Sequence, residues 1–412
     1  MSAARRSALQ GKIMKILMVN KFLYPNGGSE TYMFKLGEYL QSAGNQVEYF
    51  GMEHPDRCVS NSVGCYTENM DFHDSSALKK IPLAIKTVYS AEARKKIRKV
   101  LDSFNPDIVH LNNFNYQITP SVILEIRKWE KETQHRVKIV YTAHDYQLIC
   151  PNHMLNNPNT NENCEKCIGG GYINCIKGKC VHGSTLKSAI GFIEATYWNN
   201  RKTYDQIDKI ICCSNFMKSK LDTNPILRSK TVALHNFIDI NGNFDLPKKD
   251  YILYFGRFSQ EKGIETLLKA CSLLPDVKFI FAGTGPMESE ISKIPNIENV
   301  GFKSGEELSS LILQAKASVY PSIWYENCPL SVMESISLGT PVIGADIGGI
   351  PELVENGING LLFKAGDAED LVSKISLIND DETFTQKITN ACKNNSFMSV
   401  SEYAEKYFEI IR

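Results

Sequence analysis

The chain has 412 residues, with 46 basic and 46 acidic side chains and a formal charge of zero at pH 7. A hydrophobic share of 43% and a charged share of 22% are typical of globular domains and exclude disordered, collagen-like and coiled-coil chains. No apolar run approaches the ~18 residues of a membrane span, and the neutral balance argues against nucleic acid as the main partner. The charge is unevenly spread, because residues 1–240 hold 31 basic and 22 acidic residues and the remainder has the opposite surplus.

Short β-type runs alternate with amphipathic stretches of helix length along the chain. Residues 1–13 lack the apolar core of a signal peptide and are interpreted as a leader or a vector-derived extension outside the fold. The first series of predicted strands comprises 15–19, 46–50, 107–111, 137–142, 209–213 and 230–234. The second series comprises 250–256, 277–283, 317–322 and 340–345. Strands that alternate with helices predict βαβ units and parallel sheets, here in two sets.

The sequence therefore predicts an α/β protein with two Rossmann-like domains facing a cleft, at 14–238 and 239–398, followed by a C-terminal helix at 399–412. The polar stretch 236–250 is the predicted linker between the domains. Residues 150–183 are rich in Asn, Gly and Cys and too long for an ordinary connection. They are predicted to be an insert in the first domain that needs its own means of staying ordered.

The turn after the first predicted strand contains Gly27 and Gly28, just before a predicted helix at 29–41. Glycines there let backbone N–H groups approach a ligand, and a helix N-terminus favours an anion such as phosphate. Any strand-to-helix turn can also need a glycine, so the signal is weak by itself. The turn lacks the spacing G-x-G-x-x-G, which argues against a nicotinamide enzyme.

Two cations, Arg257 and Lys262, follow the first strand of the second predicted domain in the segment GRFSQEKG. They would lie at the carboxyl end of that strand, where open α/β sheets bind ligands. Cations at that edge suit a diphosphate, and an arginine can bind its oxygens in a bidentate manner. The alternative is a pair of ordinary surface cations, which this motif in isolation would favour.

The segment ENCPLSVME, from Glu326 to Glu334, follows a predicted strand and opens a helix. Pro329 fits the first turn of a helix, which leaves the amides of 330–332 as unpaired donors for a ligand. Glu334 lies more than one turn inside the helix, so the two carboxylates are too far apart to share a proton. They are placed to contact different parts of one elongated ligand. The alternative is a capping residue and a solvated helix face.

Together these motifs resemble the retaining nucleotide-sugar glycosyltransferases of family 4, which have the two-domain GT-B fold. The resemblance spans nearly the whole chain and rests on GRFSQEKG, AGTGP, the E-x7-E pair and GTPVIGADIGGIPELV. It implies transfer of a sugar from a nucleoside diphosphate to an acceptor with retention, by a hexosyl- or N-acetylhexosaminyltransferase. The chain differs from the common family pattern at Cys328 and Pro329, where many members have a Phe-Gly pair.

The resemblance also implies roles for individual residues. The donor diphosphate would contact the loop at 27–28 and be neutralised by Arg257 and Lys262, and Glu326 would lie beside the donor sugar. Glu334 would hold the ribose hydroxyls. The other donor-binding residues that it implies are Gly283, Gly301, Phe302, Asn327, Leu330, Ser331 and Val332.

His144, in the segment YTAHDY, matches a histidine that lies near the transferred sugar in this family. The residues alone would favour a histidine that is hydrogen-bonded within its own turn. No D-x-D signature or carboxylate cluster is found, so no catalytic metal is expected. The expected substrates are a nucleotide-sugar donor and a glycan or lipid-linked acceptor, in surface-polysaccharide synthesis in the cytoplasm at the inner face of the membrane. A sugar-nucleotide epimerase of the same fold and a non-catalytic zinc-stabilised binding protein remain the alternatives.

Four of the twelve cysteines form two short pairs in the predicted insert, Cys164 with Cys167 and Cys175 with Cys180. Pairs of this kind supply four thiolates to a structural zinc ion, and Cys150 is an alternative ligand. Clustered cysteines in a chain with no signal peptide indicate metal more often than disulfides. The sequence therefore predicts a structural Zn²⁺ without a catalytic role, with free thiols or two disulfides as the alternatives.

The stretch Lys79–Lys99 holds eight basic residues and one acidic residue, interleaved with apolar side chains. This pattern favours peripheral docking on an anionic membrane, where each cation near the surface contributes about 1 kcal/mol. A solvated helix face explains the same pattern equally well.

Overall fold

A computed structural model describes residues 13–69, 85–240 and 246–412. The predicted leader, up to residue 12, and the start of the basic stretch, up to residue 84, lie outside the described residues. The chain divides into two compact units. The first unit contains the described residues up to Asn159, Cys164–His235 and Val400–Arg412, and the second contains Thr160–Asn163 and the described part of Asn236–Ser399.

The first unit is built on a six-stranded sheet in which all neighbouring strands are parallel. The strands of this sheet are β1 (Lys15–Val19), β2 (Gln46–Phe50), β3 (Ile108–Leu111), β4 (Lys138–Ala143), β7 (Lys209–Cys212) and β8 (Thr231–Ala233). The first unit also contains a short strand, β5 (Asn156–Asn157), and the next strand along the chain, β6 (Glu162–Asn163), belongs to the second unit. The order in the large sheet is β2-β1-β3-β4-β7-β8. β1 lies between β2 and β3, so Ile16 lies opposite both Val47 and Ile108.

The second unit repeats this architecture with a sheet of order β11-β10-β9-β12-β13-β14, again parallel throughout. Its strands are β9 (Ile252–Phe255), β10 (Phe279–Ala282), β11 (Ile297–Gly301), β12 (Ala317–Tyr320), β13 (Val342–Ala345) and β14 (Gly360–Phe363). The prediction of two parallel α/β sheets is confirmed. Strands β11 and β14 were not among the predicted strands.

Helices connect the strands in both units. Those of the first unit are α1 (Gly28–Ser42), α2 (Ala91–Phe104), α3 (Ser121–Thr133), α4 (Ile173–Lys177), α5 (Thr185–Asn200), α6 (Asn215–Leu221), α7 (Pro225–Arg228) and, at the carboxyl end, α14 (Val400–Ile411). Those of the second are α8 (Ile264–Leu273), α9 (Glu288–Ile291), α10 (Gly305–Gln314), α11 (Leu330–Ser337), α12 (Ala368–Asp380) and α13 (Glu382–Asn394). Among the described residues, no helix combines the length and apolar content that crossing a membrane requires.

Several interior strands of both sheets are buried along their whole length. Every residue of β3, β9, β10 and β13 is buried. Parallel strands covered on both faces are near-continuous apolar runs rather than alternating ones. Side chains that a ligand can reach are therefore expected at the edges of the sheets, where the connections begin.

Helix α14 follows the second unit in the chain but packs with the first, against α1. Tyr403 and Tyr407 on its inner face are fully buried. The hydroxyl of Tyr403 lies 2.7 Å from the hydroxyl of Tyr32 on α1, and the ring of Tyr407 stacks on His110 of β3 at 5.2 Å. The C-terminal helix thereby completes the core of the first unit.

Candidate active site

The second sheet has two neighbouring connections at its carboxyl edge that hold predicted site residues. The connection after β9, residues 256–263, contains Arg257 and Lys262. Strand β12 pairs directly with β9, and the connection that follows it, 321–329, contains Glu326. Parallel neighbours end at the same edge of a sheet, and open α/β sheets bind ligands at that edge. The fold therefore brings these two segments together.

Lys262 and Glu326 form an ion pair in which Nζ lies 2.6 Å from Oε1. The same carboxylate oxygen accepts hydrogen bonds from Ser322 Oγ at 2.8 Å and from the indole Nε1 of Trp324 at 2.5 Å. Lys262 also donates to the hydroxyl of Tyr320 at 3.2 Å. Its ammonium lies 5.5 Å from the ring centre of Tyr320 and 5.3 Å from that of Trp324. Both charges are thus held in fixed positions.

Both members of the pair are charged at neutral pH. Burial alone would raise the pKa of the Glu326 carboxyl, but the Lys262 ammonium and the hydrogen bonds from Trp324 and Ser322 outweigh it and hold that pKa below its usual value. Burial would likewise lower the pKa of Lys262, and Glu326 beside it holds that pKa above its usual value. The lysine side chain is 23% exposed and the glutamate 9%, so the ammonium keeps limited access to a ligand.

Arg257 lies five residues before Lys262 in the same connection and is exposed. Its backbone carbonyl is held by the Tyr254 hydroxyl at 2.8 Å, which fixes the start of the connection. No carboxylate among the described residues forms an ion pair with its guanidinium. Arg257 is therefore the cation of this edge whose charge is not already matched.

Glycines allow the connections at this edge to cross closely. A Cβ on Gly263 would lie 1.8 Å from the carbonyl oxygen of Pro321, and the φ of Gly263 is 73°. A Cβ on Gly348 would lie 2.4 Å from the carbonyl oxygen of Glu326, which also accepts the Gly349 amide at 2.7 Å. Only glycine fits at both positions. The motif glycines thus position the ion pair.

The predicted donor-binding residues Gly283, Gly301 and Phe302 lie together where β10 and β11 end. The Gly283 amide donates to the Gly301 carbonyl at 2.9 Å. A Cβ on Gly283 would lie 1.9 Å from the carbonyl oxygen of Gly256, the residue before Arg257. Phe302 is 72% exposed, which presents a large flat ring to solvent at the same edge.

Helix α11 begins at Leu330, after Pro329 as its N-cap, close to the predicted start. The amide of Val332 donates to the Pro329 carbonyl at 3.2 Å, and the Val332 side chain is buried. The prediction that this amide is an unpaired donor is therefore wrong. Asn327, Leu330, Ser331 and Glu334, the other predicted residues of this helix start, are half-buried.

Cys328, where the sequence departs from the common family pattern, is directed into the core. Its Sγ lies 3.8 Å from the sulfur of Met333, and its carbonyl accepts a hydrogen bond from Asn236 Nδ2 at 3.0 Å. Burial raises the pKa of the thiol to about 12. The cysteine is thus a neutral packing residue.

A hydrogen-bond network ties the carboxyl ends of β1 and β3 to the first turn of α1. Asn20 Nδ2 donates to Glu30 Oε1 at 2.8 Å, and the Asn113 amide N–H donates to Asn20 Oδ1 at 2.9 Å. Asn113 Nδ2 donates to Ser29 Oγ at 2.8 Å. These bonds fix the N-terminus of α1 relative to the sheet.

Gly27 is the N-cap of α1, and Gly28 is its first residue. The φ of Gly27 is 179°, which any residue can adopt, and a Cβ there would meet nothing closer than 3.5 Å. Neither backbone conformation nor crowding requires glycine at position 27. Close approach of a ligand to the backbone remains as a reason for it.

His144 follows β4 directly. Its Nε2 lies 2.9 Å from Asn112 Oδ1, and its ring meets the ring of Tyr32 at 5.0 Å and 66°. Burial lowers the pKa of His144 to about 4, against the opposing effect of Asp145, so the imidazole is neutral at pH 7. Tyr32 in turn bonds to Tyr403 of α14, as described above.

Sequence reasoning missed the residues that hold the ion pair and the histidine. Ser322 and Trp324 lie four and two residues before Glu326, and a local polar or aromatic residue next to a motif carboxylate is a signal that could have found them. Asn112 and Tyr32 contact His144 from other elements. No local pattern reveals contacts of that kind.

The cysteine-rich segment forms an apolar cluster. Cys167 and Cys175 are buried with Tyr172, and Cys180 packs against them. All twelve cysteines are described, and none forms a disulfide. Among the described residues, no three or more His, Cys, Asp or Glu side chains are grouped so that they could hold a metal ion. The predicted zinc site at 164–180, including the alternative ligand Cys150, is therefore not supported.

The described part of the basic stretch forms much of α2, and most of its cations there are neutralised. The ion pairs join Arg94 to Glu125, Arg98 to Asp102 and Glu132, and Lys96 to Glu92. Cations that are already paired contribute little to binding lipid headgroups. The described residues thus favour the solvated-face interpretation of α2.

Two parallel α/β units with cations at a carboxyl edge are the arrangement of nucleotide-binding α/β proteins. The family model described as Glycosyltransferase Family 4 matches residues 26–241, more than half of the chain. The model described as Glycosyl transferases group 1 matches residues 239–396. The chain belongs to Glycosyltransferase Family 4.

Individual relatives are distant. An uncharacterized glycosyltransferase of Methanocaldococcus jannaschii is 30% identical over 209 residues, 49% of this chain and 58% of that protein. An uncharacterized 42.6 kDa protein in the cps region of Klebsiella pneumoniae is 24% identical over 82% of this chain and 87% of its own. An amylovoran biosynthesis glycosyltransferase of Erwinia amylovora is 27% identical over 32% of this chain and 36% of its own. The match to the first of these thus spans little more than half of its length.

Solved structures share the fold across the whole chain. Sucrose-phosphate synthase of Thermosynechococcus elongatus is similar with a TM-score of 0.66 at 17% identity, covering 96% of this chain and 98% of its own. The HepE protein of Anabaena in complex with UDP is similar with a TM-score of 0.62 at 18% identity, covering 96% of this chain and 99% of its own.

Proposed function

We propose that this protein is a retaining glycosyltransferase that moves a sugar from a nucleoside-diphosphate sugar to a glycan or lipid-linked acceptor. The observation that carries the proposal is the buried Lys262–Glu326 ion pair, 2.6 Å long, beside the exposed Arg257. A lysine, an arginine and a carboxylate fixed at the carboxyl edge of the second sheet suit the diphosphate and the sugar of one donor. Family membership supports the same reaction class.

Departure of a nucleoside diphosphate builds negative charge on the phosphates and positive charge at the anomeric carbon. Arg257 and Lys262 are the groups that would stabilise the phosphate charge, and Glu326 is the group that would face the positive carbon. Charges held in place before the reaction need no reorganisation during it, which is why such terms are often the largest in catalysis. Trp324 and Tyr320 serve this function by holding the lysine in place.

In the first unit, His144 is proposed to act as a neutral imidazole near the transferred sugar. Its pKa of about 4 leaves it uncharged at pH 7, and the contact with Asn112 Oδ1 indicates that Nε2 carries the proton. A neutral histidine binds sugar hydroxyls without adding a positive charge beside the developing cation. Gly27 and Gly28 are proposed to let the donor diphosphate approach the backbone at the N-terminus of α1.

The identity of the donor and of the acceptor is a finer proposal. The structural similarity to a protein solved with UDP supports a uridine-diphosphate sugar. The similarity to an amylovoran biosynthesis enzyme and to a protein of a cps region supports a role in polysaccharide assembly. A structural zinc ion stays outside this proposal, because the described cysteines are not grouped to bind one.

A sugar-nucleotide epimerase of the same fold has less support. It would need carboxylates in the first unit that can gain and lose a proton. Asp145 is held ionised: burial raises its pKa, but His153 and other groups outweigh burial and lower it. Glu30 accepts hydrogen bonds from Asn20 and Ser29. Neither carboxylate is free to exchange a proton with a sugar.

The proposal is tested by donor binding and by transfer. Thermal unfolding is measured with UDP- and GDP-sugars, because a ligand at 100 times its Kd stabilises the folded chain by about 2.7 kcal/mol. We expect a rise in Tm with a UDP-sugar that Arg257→Ala abolishes and that Lys278→Ala, at an exposed ion pair of the same unit, preserves. A chain that binds no nucleotide sugar, or turns one over equally well after Arg257→Ala, would contradict the proposal.

A further inference from the structure

Helix α5 is apolar on two opposite faces. Its inner face, which includes Ala195 and Trp198, is buried in the first unit. Its outer face has Leu186 at 70% exposure, Ile193 at 52% and Tyr197 at 38%, with the half-buried Ile190 between them. Steps of four, three and four residues place these four side chains within about 60° of the helix circumference. We call these four residues the outer stripe.

A stripe of this kind needs an explanation. A helix that is apolar on all sides is expected to be buried, because its outward side chains would otherwise stay in contact with water. Single exposed apolar residues are ordinary, whereas a contiguous exposed set marks an interaction surface. The inner face already packs against the first unit, where the Trp198 indole donates to the Val88 carbonyl at 3.0 Å. Within the described parts of the chain, the outer stripe is therefore available for a partner.

Five cations lie close to the outer stripe along the chain, on α5, just after it, or on and just after the short helix α4 that packs against it: Lys177, Lys179, Lys187, Arg201 and Lys202. Between residues 166 and 204 the only acidic residue is Glu194, which is buried and whose pKa is raised by burial to about 8, so it is uncharged at pH 7. The acids just outside this range, Glu165 and Asp205, are paired with Lys220 and Lys230. None of the five cations forms an ion pair with another described residue.

We infer that the outer stripe of α5 and its flanking cations dock the protein on an anionic membrane surface. Apolar side chains at the boundary of headgroups and acyl chains, flanked by cations that meet anionic headgroups, are the pattern of helices that lie on a bilayer. Tyr197, with the Arg201 guanidinium 6.0 Å from its ring centre, combines an apolar body with a polar tip, as aromatic residues at membrane interfaces do.

A second copy of the chain is the main competing occupant of the outer stripe. A twofold interface places the same patch of each copy against the other. The unpaired cations around the stripe would then face one another with no carboxylate to neutralise them. Charge therefore favours anionic lipid over self-association. Helix α2 contrasts with α5, because its arginines already pair with acidic residues.

The inference is tested with the full chain and sedimented vesicles. We expect binding to vesicles of phosphatidylglycerol mixed with phosphatidylcholine, little binding to phosphatidylcholine alone, and weakening with salt. Ile193→Asp should lower the bound fraction about tenfold without changing Tm, because it puts a charge at an already exposed site. The matched control is Leu273→Asp at the end of α8 in the second unit, where leucine is 57% exposed.

Charge reversal separates the two basic surfaces. Lys187→Glu with Arg201→Glu should weaken vesicle binding, whereas Lys95→Glu with Lys99→Glu on α2 should leave it unchanged. Three results would overturn the inference: no binding to anionic vesicles, equal loss in the α2 variant and the α5 variant, or a solution dimer that Ile193→Asp dissociates. Because binding is measured without turnover, the outcome is independent of whether the proposed transferase activity is correct.

Discussion

Replacing Glu326 with glutamine removes the negative member of the buried ion pair and keeps the size of the side chain. In the protein, one oxygen of Glu326 accepts hydrogen bonds from Lys262, Ser322 and Trp324. The glutamine oxygen can still accept from the serine and the tryptophan. The lysine charge, however, loses its counter-charge in a site where its own side chain is only 23% exposed.

The expected loss of stability follows from these contacts. Removing one partner of a buried ion pair typically costs about 3–5 kcal/mol. The two retained hydrogen bonds and the partial exposure of the lysine reduce this to roughly 2 kcal/mol. For a unit of this size, that loss lowers Tm by about 4–8 °C. The variant should therefore fold, with a visible shift, and its kcat/KM should fall at least about tenfold, because a charge beside the reacting sugar is gone.

The stability that the ion pair contributes should depend on pH in a direction that the two pKa shifts determine. The pKa of Glu326 is depressed in the folded chain. Its contribution to the free energy of unfolding is therefore present above the usual carboxyl pKa of about 4.3 and is lost as pH falls through the lower folded pKa. The pKa of Lys262 is raised in the folded chain. Its contribution to the free energy of unfolding is therefore present below the usual lysine pKa of about 10.4 and is lost as pH rises through the higher folded pKa. The difference in stability between the native chain and Glu326→Gln should be largest between about pH 5 and pH 10 and should become smaller below and above that range.

Thermal unfolding across pH and steady-state kinetics measure these effects. The matched control is Glu298→Gln, which breaks a Lys278–Glu298 pair of similar length, 2.8 Å, at a site more than half exposed. Exposed pairs contribute about 0–1 kcal/mol, so this control should barely move Tm. Equal shifts for Glu326→Gln and Glu298→Gln would refute the reasoning from burial.

Three further predictions follow from other contacts. Tyr403→Phe should lower kcat several-fold with little change in KM, because it removes the hydroxyl that bonds to Tyr32, the residue packed on His144. The control is Tyr407→Phe, which should leave kcat unchanged because the Tyr407 hydroxyl has no partner among the described residues; equal effects of the two substitutions on kcat would contradict this prediction. Gly263→Ala should destabilise the chain by more than about 3 kcal/mol, as measured by thermal unfolding. The control is Gly366→Ala, which should cost about 1 kcal/mol, because φ is also positive there but no atom lies within 4 Å of an added Cβ. A pH profile of kcat/KM should lose activity through protonation of His144 near its pKa of about 4, and an unchanged rate below that pH would show that its neutral form is not required.

The fold could be predicted from the sequence because apolar runs mark strands that are buried on both faces. The runs at 15–19 and 46–50 coincide with β1 and β2. Strand β11 was missed because its side chains are half-buried or exposed, so it lacks an apolar run. Strand β14 was missed because it begins at a glycine, which leaves an apolar run of only three residues, Leu361–Phe363.

The site could be predicted in part. Arg257, Lys262 and Glu326 stand in short motifs, and the parallel pairing of β9 with β12 brings the motifs together. The partners of these groups depend on side-chain convergence, which spacing does not encode. The basic stretch shows the same limit, since Arg94 finds its partner Glu125 on a different helix.

The position of α14 has a consequence for synthesis on the ribosome. The first sheet and its connecting helices emerge early, but the helix that covers Tyr32 and His110 emerges only after the entire second unit has been made. Until then, the nascent first unit exposes an aromatic and polar surface that the finished protein buries. The second unit, made as one continuous stretch apart from four residues, can fold while the first still waits for its last helix.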